Sequence, residues 1–136
     1  MKKLFLCLLL CVLFSGCSKD SVKEKGPKNI DMTKMSSTMI WASFFDIMSD
    51  VDSFAGARIK IRGNFMILQG PDGEDTYNVV IADATQCCYQ GIGFVYEFGG
   101  QLPEENAPIT VTGSLFTETL ESGVSYSYLK DCTIEL

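Results

Sequence analysis

The hydrophobic pattern of the chain changes character three times. Apolar residues dominate from Leu4 to Phe14, and a polar stretch from Ser18 to Lys34 follows without sustained periodicity. Beyond it Ile40, Phe44, Ile47 and Val51 recur at helical spacing, with Trp41, Phe45 and Met48 widening the stripe. Residues three or four apart share one helix face, so the spacing predicts an amphipathic helix over residues 38–50 packed on a core. Ser36, Ser37 and Thr38 offer hydroxyls to cap its first turn. Asp50 and Asp52 place negative charge where the helix dipole is already negative, which predicts termination there. Phe54 and Gly56 then turn the chain outward.

From Arg58 the period becomes two. Ile59, Ile61, Gly63, Phe65 and Ile67 alternate with Arg58, Lys60, Arg62, Asn64 and Met66, which predicts a half-buried strand. Gly63 in its middle predicts a bend that lets a sheet curl. Gly70-Pro71-Asp72-Gly73 reads as a tight turn, Tyr77 to Ala82 as a second strand and Ile92 to Phe98 as a third. The third is expected to carry Ile92, Phe94, Tyr96 and Phe98 on one face. A polar connection from Gly99 to Asn106 leads to a fourth strand through Ile109, Val111, Gly113 and Leu115. A turn at Glu121 to Gly123 opens a fifth, from Val124 to Leu136, with Tyr126, Tyr128, Cys132, Ile134 and Leu136 expected in one register.

Five short strands, two with central glycines, predict a mostly β fold: a small five-stranded OB-like barrel with one N-terminal amphipathic helix. Residues 99–108 are too short and too rich in Gly and Pro for the helix that OB barrels usually carry between their third and fourth strands. The leading helix is expected to plug the barrel end instead.

The first residues read as an address. Lys2 and Lys3 precede the apolar run, and Ser15-Gly16 lead into Cys17. A basic start, a short apolar segment and small residues before a cysteine make a lipoprotein signal peptide, with Cys17 as the lipidation site. Phe14 stands where Leu is usual. As a helix the apolar run rises only about 16 Å, too little to span a bilayer. The expected organisation is a signal peptide over 1–16, a flexible tether over 17–35 and a barrel domain over 36–136, held by lipid on the extracytoplasmic face of a cell membrane.

Charge narrows the partners. The chain has eleven basic and seventeen acidic residues; loss of residues 1–16 would leave nine basic against seventeen acidic, a formal charge of −8. Affinity for phosphate backbones comes from Lys and Arg displacing counterions, so an acidic chain argues against nucleic acid as a partner. Arg58, Lys60 and Arg62 read as a solvated outer stripe.

No histidine is present anywhere in the chain. That excludes Ser-His and Cys-His nucleophile pairs and His-ligated metal, and no enzymatic activity is expected. Glu104 and Glu105 lack a convergent carboxylate partner for glycosidase chemistry. Of six cysteines, Cys7 and Cys11 would leave with the signal and Cys17 would take the lipid, so Cys87, Cys88 and Cys132 remain for the domain.

Asp83, Cys87 and Cys88 form the candidate functional loop, between the second and third strands. Adjacent cysteines on an extended backbone point to opposite sides, which makes them poor ligands by default. In a tight loop they converge, and then a vicinal disulfide, a thiol redox pair or a zinc or copper site assisted by Asp83 are all open. Cys132, in the inward register, is expected to be a buried free thiol not bridged to the pair. No cofactor is expected on the leading reading; zinc or copper belongs to the alternative.

Several segments carry a resemblance: Ser37-Thr38-Met39-Ile40, Phe54-Ala55-Gly56, Asp83-Ala84-Thr85-Gln86-Cys87-Cys88-Tyr89-Gln90-Gly91-Ile92, Leu102-Pro103-Glu104-Glu105 and Ile109-Thr110-Val111-Thr112-Gly113. With these, residues 37–136 resemble a group of uncharacterised bacterial lipoproteins and permease-associated OB-like domains with a paired cysteine. The resemblance implies an OB-like fold, a membrane location and a transporter or other protein as partner, and it names no substrate. The leading expectation is a lipid-anchored binding module. The alternative is a thiol-dependent metal-binding or redox lipoprotein using Cys87 and Cys88.

Overall fold

The computed structural model describes residues 28–136. Its longest strand explains how the sheet closes. β2 (Arg58–Gln69) is expected to be half-buried from its alternation, and Ile59, Ile61 and Phe65 are indeed fully inside. The strand serves two neighbours in succession. It pairs antiparallel with β5 (Pro108–Thr119) through Arg58 to Asn64, then with β3 (Asp75–Ala82) through Asn64 to Gln69. The handover falls at Gly63, where a side chain would drive into the Val80 carbonyl and stand 2.9 Å from a Val79 methyl. Glycine is needed at that point because the neighbouring backbone approaches too closely for a Cβ.

The ring is completed by β4 (Tyr89–Phe94), antiparallel to β3, and by β6 (Ser125–Glu135), parallel to β4 and antiparallel to β5. The circuit β2-β3-β4-β6-β5 returns to β2, a closed five-stranded barrel in OB order. Closure leaves its five strands without long free edges, which removes the aggregation hazard of an open sheet. An additional short strand, β1 (Asn29–Asp31), lies parallel to the start of β2.

Hairpins are set by their turn residues. Gly73 and Gly123 hold φ of +86° and +82°, the left-handed region that costs glycine little. The barrel interior is filled by Ile59, Ile61, Phe65, Val79, Ile81, Ile92, Phe94, Ile109, Val111, Leu115 and Leu129.

The predicted helix is α1 (Ser37–Ser49), capped by Ser36, whose hydroxyl accepts from the Met39 N–H at 3.4 Å. It packs on the barrel and contributes Phe44 and Ile47 to the same core. Ile40, Trp41, Met48 and Val51 pack around them, whereas Phe45, placed in the stripe from sequence, is exposed. A 3-10 turn (Val51–Phe54) follows the helix, and Gly56, at φ +75°, leads into β2.

Three boundaries differ from the sequence-based expectation. The domain begins earlier than residue 36, because β1 pairs with β2 and Met32 is wholly buried; the expected tether over 17–35 therefore gives way to folded chain from Asn29. Asp31 holds this entry by accepting from the Thr33 N–H and hydroxyl at 3.0 and 2.6 Å. β4 ends at Phe94 and not at Phe98: after Val95 donates to the Leu129 carbonyl at 2.9 Å, the chain leaves the ladder. Phe98 then packs edge-on against Tyr77, with ring centroids 5.2 Å apart, and against Phe65 at 5.9 Å. The third difference is in β6, where a bulge opposite Gly113 splits the single expected register in two. The expected signal peptide, Cys17 and the first part of the tether lie outside the described residues.

Candidate functional site

The β3–β4 hairpin carries the first of two features with chemical potential. Its ladder ends at the Ala82–Tyr89 pair, and the Asp83 N–H donates to the Cys88 carbonyl at 3.0 Å, closing a tight six-residue loop. The Gln86 N–H donates to the Asp83 carbonyl at 3.1 Å, and Gln86 itself adopts φ +58°, a left-handed conformation uncommon for a residue with a side chain. This reversal turns the adjacent cysteines onto one side.

Asp83 organises the loop. Its Oδ1 accepts from the Cys87 N–H at 2.9 Å and from the Cys88 N–H at 3.4 Å. Its Oδ2 accepts from the Thr85 hydroxyl at 2.8 Å and from the Cys87 thiol at 3.2 Å. Thr85 Oγ1 also lies 3.0 Å from Cys87 Sγ, and the two sulfurs stand 3.7 Å apart. The Thr85 hydroxyl, with the other donors, holds the Asp83 carboxyl down at about 2. The Cys88 thiol is pushed up, first by its hydrogen bond with Cys87 and then by charge on that neighbour. Both cysteines are exposed, and one ligand atom from each of Asp83, Cys87 and Cys88 lies within 4.8 Å of the others. The three residues singled out from the sequence thus come together in space, and the loop supplies the convergence that an extended backbone would deny.

Cys132 stands apart from this cluster. It lies on β6, half-buried against the core, and its thiol donates to the Leu129 carbonyl at 3.4 Å. Burial pushes its pKa up to about 11. The inward placement expected for it holds, and all three thiols are free.

The second feature is one that sequence reasoning turned the wrong way. Tyr126 and Tyr128, expected to share the inward register of Ile134, lie on the face of β6 away from Leu129, across from Glu118 and Phe116, where Tyr128 is nonetheless buried and Tyr126 half-buried. Their rings stack at 5.4 Å between centroids, and both hydroxyls donate to Glu118 Oε2, at 3.3 and 2.9 Å. The Lys130 ammonium sits 4.8 Å over the Phe116 ring and 5.2 Å over Tyr128. Burial, and then the Glu118 charge, pushes the Tyr126 phenol up.

The cause is the bulge: Thr112 pairs with Thr133 but Ser114 pairs with Lys130, so two residues of β6 face Gly113 alone, and Asp131 takes φ +52°. Side chains before the bulge exchange faces with those after it. One signal was readable in the sequence. The inward residues Leu129 and Cys132 are three apart, an odd step that no unbroken strand allows.

Beside the tyrosines runs an open groove of about 380 Å³. Its floor includes Asn78, Gly91 and Gly93, and its walls include Leu68 and Pro71 at the β2–β3 turn, with Tyr126 and Tyr128 opposite. Among the described residues no charged side chain lines it. The basic stripe of Arg58, Lys60 and Arg62 does not contribute to it; those residues alternate with buried Ile59 and Ile61, and Lys60 pairs with Glu135 at 2.7 Å.

No protein-family model matches the chain, and no curated protein matches it. Fold and site together define a small OB-like barrel with an open groove on its β3–β4 side and a thiol-bearing loop at the tip of that hairpin.

Proposed function

We propose that the chain is a lipid-anchored binding module on the extracytoplasmic face of a bacterial cell membrane, with its ligand seated in the groove between the β2–β3 turn and Tyr126. The observation that carries this reading is the groove's position. OB barrels bind ligands on the face of their second and third strands, between the loops that join strands one to two and four to five. Here those strands are β3 and β4; Gly70 and Pro71 of the first turn line the groove, and Tyr126, which follows the Glu121–Gly123 turn, lines its other side. A volume of about 380 Å³ falls within the usual range for small-molecule sites.

The ligand is neutral and has a flat apolar face, because the groove offers tyrosine rings, backbone and amide groups and no charge. A saccharide or a short neutral peptide segment has that chemistry. The N-terminal sequence supports the membrane address, and the resemblance to permease-associated domains supports a transporter as the protein that presents or receives the ligand. The role is non-catalytic, since the chain has no histidine and the groove no nucleophile with a base beside it.

Gly93→Leu tests the reading. A Cβ at Gly93 would meet only ordinary contacts, 3.7 Å from both Asn78 Oδ1 and Tyr128 Cβ, so the side chain fills the groove without disturbing the barrel. In NMR titrations with a panel of neutral sugars and short neutral peptides, shifts are expected at Gly91, Gly93 and Tyr126 and are expected to vanish in Gly93→Leu. Binding unaffected by that variant would overturn the assignment.

A further inference from the structure

The groove leaves the loop at the hairpin tip without a role, and the loop brings three potential metal ligands within 4.8 Å of one another. We propose that Asp83, Cys87 and Cys88 coordinate zinc(II), with a fourth position open to solvent or to a ligand atom from a partner.

The spacing of the sulfurs suits zinc. Zinc–sulfur bonds of about 2.3 Å at a tetrahedral angle hold two thiolates about 3.8 Å apart. Cys87 Sγ and Cys88 Sγ are 3.7 Å apart. A linear two-thiolate arrangement, which suits copper(I), would hold them about 4.6 Å apart at the same bond length. The third ligand fits the same figure. A thiolate and a carboxylate oxygen on one tetrahedral zinc are about 3.5 Å apart, and Cys87 Sγ lies 3.2 Å from Asp83 Oδ2. The remaining edge, Asp83 to Cys88, is within 4.8 Å, and small adjustments of these side chains close it with both sulfurs still on the ion.

The surroundings are built for it. The Thr85 hydroxyl, 2.8 Å from Asp83 Oδ2 and 3.0 Å from Cys87 Sγ, orients the carboxylate, as supporting groups of metal ligands commonly do. Binding exchanges the two thiol protons, released to solvent, for one zinc ion; Asp83 enters already ionised. Structural zinc sites close all four positions with protein ligands, whereas this one has three on an exposed loop. Such a site accepts and hands on an ion more readily than it staples a fold. None of the three residues belongs to the barrel core, so the fold does not depend on them.

The test uses the full chain in detergent, under reductant, with Cys7, Cys11 and Cys17 changed to Ser so that only the three domain thiols remain. Competition with a chromophoric chelator is expected to show about one equivalent of zinc bound. Affinity should fall at least about tenfold in Asp83→Asn, vanish in a Cys87→Ser, Cys88→Ser double variant and stay unchanged in Cys132→Ser. Loading the parent with cobalt(II) should give a thiolate charge-transfer band and the visible absorption of a tetrahedral ion, a readout that needs no variant to fold. Absence of the thiolate band, an octahedral cobalt spectrum, equal zinc in parent and double variant, or uptake of copper(I) without zinc would each overturn the proposal.

Discussion

A Cβ placed on Gly113 would stand 2.6 Å from the Cys132 sulfur, so β5 and β6 share at this point a volume that admits one side chain and not two. The same hypothetical atom would lie 2.9 Å from Leu129 Cβ and from the Lys130 carbonyl oxygen. The glycine and the bulge opposite it are therefore one device. It turns Leu129 and Cys132 inward and leaves Tyr126 and Tyr128 on the opposite face, beside the groove.

Gly113→Ala should destabilise the barrel by about 1–3 kcal/mol, the usual cost of overpacking. Denaturant unfolding measures it. Because backbone as well as sulfur crowds the site, adding Cys132→Ala should restore only part of the loss; full restoration would show that the sulfur alone sets the fit.

Ile61→Ala should cost about 2–5 kcal/mol, since Ile61 is completely buried in the barrel. Phe45→Ala, on the exposed side of α1, should change stability by no more than about 0.5 kcal/mol. The pair of unfolding curves tests which helix and strand faces meet the core, and equal losses would contradict the packing described.

The Cys132 thiol, pushed up to about 11 by burial, should resist alkylation at pH 8 while the exposed Cys87 and Cys88 are modified, as read by mass spectrometry of the labelled peptides. The linkage follows in sign. A thiol whose folded pKa is raised contributes stability that is present below its ordinary value of 9.0 and is lost as pH climbs toward about 11. Unfolding midpoints should therefore fall across that alkaline interval, and less so in Cys132→Ala.

Asp83 should titrate at about 2, below its ordinary 3.8, in a carbon-detected NMR titration. Its depressed value means that the carboxylate's contribution to the loop is present above 3.8 and is lost as pH falls toward about 2. Thr85→Val removes the leading cause and should move the midpoint upward. An unchanged midpoint in that variant would show that the backbone donors suffice.

On the proposed lipoprotein reading, in which acyl chains on Cys17 supply the anchor, Cys17→Ala should abolish lipid labelling and release the protein from the membrane fraction. Unchanged membrane partition would sink the lipoprotein reading.

The elements of the fold were legible because their causes are local. Helical spacing from Ile40 to Val51, alternation from Ile59 to Ile67 and the glycine turns each declare themselves within a dozen residues, and five curved strands leave few ways to close. The same local chemistry singled out Asp83, Cys87 and Cys88 as reactive groups on one loop.

Tertiary structure decided what depends on distant partners. The Tyr126–Tyr128 face was settled by the fit of β6 around Gly113, more than a dozen residues away in sequence, and a one-residue slip exchanges every side chain between core and solvent. The departure of Phe98 from β4 and the burial of Met32 likewise reflect where the closed barrel had room. Convergence of the two thiols rests on Gln86 at φ +58° under the hydrogen bonds of Asp83, a conformation that a residue other than glycine adopts only when its surroundings hold it there. Residue identity thus determined which groups are present, and the closed ring of strands determined which of them meet.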